Sequence, residues 1–533
     1  MALKKEILIE FQDIVGPENI NDGEVITNAY AYNWCMELMN YMEGHEPIPF
    51  SAVPKAVALP SSTEEVQKIV GLCNKYKIQF KAQSTGLGPW NQPSSDNCII
   101  LDLRRMNNIV KIESKNLYAV VEPYVSGAQL QAETMKYDLT VHMPGAGPQV
   151  SPLASATSMN GPGFTSPHTG HSARNVLGVE WVLPDGEILR LGSAGLKNNP
   201  DWYNGDGPGP SLRGIMRGWA GAKSGLGVFT KVAIKLFPYP CSTKFEIKGH
   251  SPNYEIEIPD YMKLYVLDCR NYEYLEKVML RVEEEELSFM CSHLSGYGLA
   301  AIFSYSFEGM IDKMAIASAK TPLVVIIAAR TKREFDYKQK VMELIIDKFK
   351  LTNIIGTKYT PNPMFYAEAL RSNLGLHGFL TTGGFQSSKG QCDTAATCLT
   401  SVKKSIPLKK KYIKKGVIGN DFGEGVWMTS YESGHYFHME SPTMFDQTDK
   451  DSVKGMAEFM DDNNRFDLVK HLGAPFFVEG DRMHDMYGPH MMDYHKWLRK
   501  IKIAFDPNGI ADSGFYISGK EKLNVLKYKS KLL

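Results

Sequence analysis

The stretch that most constrains the fold runs from residue 54 to residue 110. "PKAVALP" reads as a short strand. "SSTEEVQKIVGLCNKYK" opens as a capped helix, with Ser62 followed by Glu65 at capping-box spacing and Val66, Ile69, Val70 and Cys73 on one face. "IQFKAQ" is a second strand, "STGLGPW" a glycine-bearing loop, and "CIILDL" a third strand whose unbroken apolar run predicts burial on both faces. This order predicts an α/β unit with the loop at the carboxyl end of a strand, where such sheets hold ligands. The loop can bring backbone N–H groups to a phosphate or serve as an ordinary turn, and the residues alone leave both open.

Beyond this unit the pattern changes. "KIESKNLYAVVEPYVSGAQL" predicts a strand and a helix start, "GVEWVLPDGEILRLG" a hairpin about Asp185-Gly186, and "GVFTKVAIKLFPYP" a further strand closed by Pro238 and Pro240. From 241 to 465 longer strands alternate with helices such as "YEYLEKVMLRVEEEEL" and "EFDYKQKVMELIIDKFK", so a boundary is placed at 240/241. The last segment, 466–533, carries the helical run "DYHKWLRKIKIAF", stopped by Asp506-Pro507-Asn508-Gly509.

A chain of 533 residues predicts two or three structural units. Lys plus Arg equals Asp plus Glu, 59 each, which removes the broad positive field of a nucleic-acid binder and points to a small-molecule substrate. The N-terminus lacks the apolar core of a signal peptide, and no window reaches the roughly 18 apolar residues of a membrane span. The 8 cysteines are scattered without CxxC pairs, which predicts reduced thiols in a cytoplasmic protein. Cys392 and Cys398 in "QCDTAATC" are the one close pair and are read as structural. The basic tail "KEKLNVLKYKSKLL" is read as a solvated helix end.

"PSSTEEVQKIV", "STGLG", "IILDLRRMNNIVKIE", "YAVVEPYVSGAQL", "GPGFTSPHTGHSARNVLGVEWVLPDGEILRLG", "SGLGVFTKVAIKLFP" and the late "FDPNGI", in this order, resemble the FAD-binding half of the vanillyl-alcohol oxidase and p-cresol methylhydroxylase (PCMH) superfamily, which also includes glycolate- and lactate-oxidising flavoproteins. The resemblance implies an α+β protein: a two-subdomain PCMH-type FAD-binding domain at 1–240, a substrate-covering α/β cap with an antiparallel sheet at 241–465, and a C-terminal segment, 466–533, returning to the FAD domain. It also turns the opening loop into a pyrophosphate cradle of Ser84, Thr85, Gly86, Leu87 and Gly88, in which glycine permits close backbone approach. Gly161, Gly163, Phe164, Thr165, Gly170, His171 and Val228 fall where the family lines the flavin.

The implied activity is FAD-dependent dehydrogenation of an alcohol, hydroxy acid or benzylic carbon by hydride transfer to flavin N5, with a protein group taking the proton. The aspartate that phenol-oxidising relatives use has no counterpart in "HMPGAGPQVSP". Their phenolate-holding tyrosine matches Tyr487, but the adjoining arginine is Gly488 here, and Trp90 lies near a second phenolate-binding position. Tyr487, His435 and His438 are therefore the catalytic candidates, with His142 and His168 behind them and Arg371 and Arg482 as carboxylate clamps. His435 matches best the histidine that oxidase relatives tether to the flavin, and covalent attachment is left open. A strand through "GHYFHMESP" would turn His435 and His438 to opposite faces. His435, His438 and Glu440 resemble a divalent-ion set of the glycolate branch, but no metal is assigned. Dioxygen and a protein electron acceptor both remain open, a homo-oligomer is expected, and the rivals are a non-redox transferase of the ether-lipid synthase type and an idle flavin-fold subunit.

Overall fold

The computed structural model describes residues 3–159, 161–192, 211–216, 221–250, 253–302, 304, 306–317, 321–354, 362–371, 385–473 and 478–520. The basic tail beyond 520 and the side chain of Arg371 lie outside the described residues. The architecture is α+β.

The first sheet assembles β1 (Ile20–Asn21), β2 (Ala56–Ala58), β3 (Gln79–Gln83) and β4 (Cys98–Asp102) in the order β1-β2-β4-β3. Strand β4 is wholly buried between parallel partners β2 and β3, as its apolar run predicts. The helix Thr63–Tyr76 crosses from β2 to β3 and buries Val66, Ile69, Val70 and Cys73. Ser62 Oγ accepts from Glu65 N–H at 3.1 Å, but the Glu65 carboxylate reaches back to Ser61 N–H at 2.7 Å, one residue earlier than an ideal capping box.

A second sheet joins β5 (Ile109–Glu113), β6 (Tyr118–Val121), β10 (Val228–Pro238), β8 (Val176–Val182) and β9 (Ile188–Leu191) in that spatial order, and β7 (Leu139–Val141) also pairs with β10. Strands β8 and β9 form the hairpin expected about Asp185-Gly186, where Gly186 has φ +93°. The late "FDPNGI" turn docks beside β3: Phe80 N–H donates to Ile510 O and Asp512 N–H to Phe80 O, both at 3.0 Å. The Asp506 carboxylate holds that turn by accepting from Ile510 and Ala511 N–H.

A small hairpin, β11 (Ile247–His250) with β12 (Asn253–Ile256), precedes the largest sheet. That sheet runs β16 (Thr352–Asn353), β13 (Met262–Asp268), β15 (Pro322–Ala328), β14 (Ser288–Leu294), β18 (Trp427–Tyr431), β19 (Tyr436–Met444) and β17 (Phe385–Asp393), every pair antiparallel. Side chains alternate between its faces. Phe437, Met439, Met428, Val325 and Cys291 pack in one core with Leu275 and Met279 of the helix Tyr272–Glu284 and with Met342 and Ile345 of the helix Lys332–Phe349. The other face presents Leu294, Trp427 and Glu440 side by side on three neighbouring strands, with Ser292, Thr429, His438 and Cys392 in the adjacent row.

Candidate active site

The row Leu294–Trp427–Glu440 forms one wall of a cavity of about 310 Å³. The opposite wall comes from Ser84–Gly88, Pro144–Ala146 and the helix Pro152–Ser158, with Gly161 and Phe164 beside them. Phe164 packs against Trp427 with ring centroids 5.1 Å apart, so the two walls meet there.

Two carbonyls of the loop Ser84–Gly88 are held by side-chain amides: Asn33 Nδ2 donates to Gly88 O at 2.6 Å, and Asn91 Nδ2 donates to Leu87 O at 3.1 Å and to Gly88 O at 2.9 Å. No N–H group from Ser84 to Gly88 meets an acceptor among the described residues. Gly86 and Gly88 have φ +78° and +83°, and a Cβ on Gly88 would lie 2.2 Å from the Trp90 ring. Thr85 Oγ1 accepts from Ser151 N–H at 3.2 Å and so ties the loop to the start of the helix Pro152–Ser158. A run of unsatisfied donors on a backbone that requires glycine fits the pyrophosphate of a dinucleotide cofactor.

Behind the loop lies a buried polar cluster that sequence reasoning missed. Lys223 pairs with Glu479, Trp90 Nε1 donates to the same Glu479 oxygen at 2.7 Å, and Lys81 Nζ donates to Lys223 O at 3.1 Å. Burial pushes the Lys223 ammonium down, and Glu479 opposes that shift. No short-range pattern announces this pairing, because Trp90, Lys223 and Glu479 are hundreds of residues apart in part and meet only in three dimensions.

At the cavity's other end, Glu440 Oε1 lies 2.9 Å from His438 Nε2, and Ser387 Oγ donates to Glu440 Oε2 at 2.8 Å. His438 is fully buried with its ring edge-on to Trp427 at 5.1 Å. Among the described lining residues Glu440 is the one carboxylate and Lys223 the one cation, and Lys223 is already paired. The sequence offered Glu440 only beside His435 and His438 as an ion ligand. Its role as a cavity-wall carboxylate follows from the register Trp427↔Glu440, which aligns it with an aromatic wall residue.

The remaining sequence candidates are dispersed. His435 is exposed in the turn before β19, because the strand begins only at Tyr436, and it is not among the described residues that line the cavity. Tyr487 also does not line the cavity. It ends the helix Gly480–Tyr487, whose Met483, Met486 and Tyr487 pack with Leu38, Met42, Phe459 and Met460, and its hydroxyl donates to Asp461 at 3.5 Å. Arg482 is bound to Asp461 at 2.9 Å. Thr165, Gly170, His171 and Val228 lie outside the cavity lining, His171 packing against Tyr431 and Tyr436. Gly163 is also outside the lining, and it is required sterically: a Cβ there would lie 2.1 Å from Met143 O.

His142 holds Gly161 from behind the cavity lining. Its Nε2–H donates to Gly161 O at 2.7 Å, leaving Nδ1 to accept from Thr169 Oγ1 at 2.8 Å, and burial pushes its pKa down to about 4. His168 packs between Phe237 and Phe289, and burial lowers its pKa too.

The fold resembles that of PCMH-type flavoproteins, and the loop falls within the segment that matches an FAD-binding domain. Residues 54–192 match the family described as FAD binding domain. The chain is 30% identical over 271 residues to the flavoprotein subunit of 4-cresol dehydrogenase (hydroxylating) of Pseudomonas putida, covering 48% of this chain and 51% of that one. It is 23% identical over 244 residues to a glycolate oxidase subunit of Bacillus subtilis, covering 45% and 47%. These matches span about half the length of each relative. In three dimensions the chain resembles substrate-bound p-cresol methylhydroxylase with a TM-score of 0.72 at 18% identity, covering 96% of each chain. It also resembles alkyldihydroxyacetonephosphate synthase, with a TM-score of 0.63 at 15% identity, covering 96% of this chain and 86% of that one.

Proposed function

We propose that the protein is an FAD-dependent oxidoreductase that dehydrogenates a CH–OH or activated CH carbon, with Glu440 as the proton acceptor. The observation that carries this reading is the position of Glu440: the one carboxylate among the described lining residues, beside Trp427 and Leu294 and oriented by His438 and Ser387, in the cavity that also receives the Ser84–Gly88 loop. In this reading residues 1–240 and 466–533 hold the cofactor and 241–465 close over it. Ser84–Gly88 hold the pyrophosphate through backbone N–H groups, and Gly161 and Phe164 line the ring system.

Bound FAD would supply a two-electron acceptor for the substrate hydride. The chain's own contribution is binding and proton transfer. Phe164, Trp427, Leu294 and Val426 exclude water and pack an apolar or aromatic substrate body. His438 Nε2–H and the Ser387 hydroxyl fix the Glu440 carboxylate, so that it presents a remaining lone pair to a substrate proton. With Lys223 committed to Glu479, the described lining offers no cation to clamp a carboxylate. That favours uncharged alcohols or phenols over hydroxy acids.

The 8 cysteines, none of them in a disulfide, support a reducing, cytoplasmic setting, and no helix among the described residues is long and apolar enough to cross a membrane. A protein electron acceptor and a homo-oligomeric state belong to the same proposal. It is tested by anaerobic mixing with a panel of benzylic alcohols, alkylphenols, glycolate and lactate. Bleaching of the flavin bands by the uncharged aromatic donors is expected. No bleaching by any donor would favour the non-redox transferase.

A further inference from the structure

The row that places His438 behind Glu440 also places Cys392 on the far side of the imidazole. Cys392 and His438 are direct cross-strand partners in β17 and β19, and their side chains share the face that carries Glu440 two residues on. Cys392 Sγ lies 3.6 Å from His438 Nδ1, while His438 Nε2 lies 2.9 Å from Glu440 Oε1. Because an ionised carboxylate only accepts, the proton on Nε2 is the one shared with Glu440, and Nδ1 is the unprotonated nitrogen that faces the thiol.

A thiol, an imidazole able to take its proton and a carboxylate that orients the imidazole make a complete nucleophile–base–orienter arrangement. Exposure distinguishes this cysteine from the others. Cys35, Cys73, Cys98, Cys269, Cys291 and Cys398 are buried, and only Cys241 shares the partial exposure of Cys392. Burial pushes the Cys241 thiol up to about 12, and its sulfur contacts a carbonyl, that of Ser242, rather than a base. Two partly exposed cysteines therefore differ in having a base beside them.

We propose that Cys392 is an activated nucleophile and a covalent modification site for soft carbon electrophiles, coupled through His438 to Glu440. The thiol proton passes to His438 Nδ1, the sulfur pair forms an S–C bond, and the leaving group departs with its bonding electrons; nothing is oxidised or reduced. The modified sulfur no longer exchanges a proton with the ring that orients Glu440. The coupling rests on the reading of Glu440 given above, whereas the reactivity of Cys392 does not.

The test is timed labelling of the FAD-bound protein by iodoacetamide at neutral pH, followed by peptide mass spectrometry. A free thiol is only a few per cent ionised at pH 7, so Cys392 is expected to react at least about tenfold faster than Cys241. His438→Gln, which cannot take the proton, is expected to bring Cys392 to the Cys241 rate. Glu440→Gln, a milder change, is expected to slow it part of the way. Equal or faster labelling of Cys241, or an unchanged Cys392 rate in the folded variants, overturns the proposal. Labelling requires no turnover, so this outcome is separate from the flavin-bleaching test.

Discussion

Lys223 and Glu479 pair inside the protein, and the Glu479 oxygen that takes the ammonium also accepts from Trp90 at 2.7 Å. The pairing fastens the C-terminal segment to the residue that closes the Ser84–Gly88 loop. Glu479→Gln leaves a buried ammonium without its counter-charge, which typically costs about 3–5 kcal/mol. The expected result is a lowered denaturation midpoint together with weaker FAD retention, read by urea titration and by flavin released on gel filtration. Glu479→Asp should recover part of both.

Glu440 and Tyr487 separate the geometric reading of catalysis from the motif-based one. Glu440→Gln keeps the side-chain shape and removes the base, so flavin reduction is expected to slow about 10²–10⁴-fold. Tyr487→Phe removes a hydroxyl bound to Asp461 outside the cavity and is expected to change the rate less than about twofold. Stopped-flow reduction of the two variants checks both.

Acid should destabilise the fold in a defined window. Burial holds His142 and His293 at about 4, below the ordinary 6.5, so between these values the unfolded chain binds protons that the folded one refuses. Their contribution is fully present above pH 6.5 and is lost as pH falls toward 4, by up to about 3 kcal/mol each. Denaturation at pH 7 and at pH 4.5 is expected to differ in that direction, and His142→Asn should reduce the difference.

The loop makes a steric prediction. Gly86 has φ +78°, a region that β-branched side chains avoid, so Gly86→Val should deform the backbone that carries the free N–H groups. The variant is expected to fold, by circular dichroism, but to purify with little cofactor.

What the sequence made legible was local. Apolar periodicity and capping residues predicted the helix Thr63–Tyr76, the buried β4 and the β8–β9 hairpin, because each depends on neighbours within a few residues. The glycine loop was legible for the same reason, since its conformation is written in Gly86 and Gly88. The cap side was not. Whether His435 or His438 reaches Glu440 depends on where β19 begins, and Glu440 gains meaning only from its pairing with Trp427 on another strand. The packing of Tyr487 was not legible from its motif either: it lies in a core formed with Met42 and Phe459, residues far from it in sequence.

The most direct measurement is the FAD content of the purified wild-type protein, by visible absorbance and by chromatography of the released nucleotide after apoprotein has been incubated with FAD. The account predicts one FAD per chain in the wild type and a large loss in Gly86→Val. A colourless wild-type protein that takes up no added FAD, although folded, would contradict it.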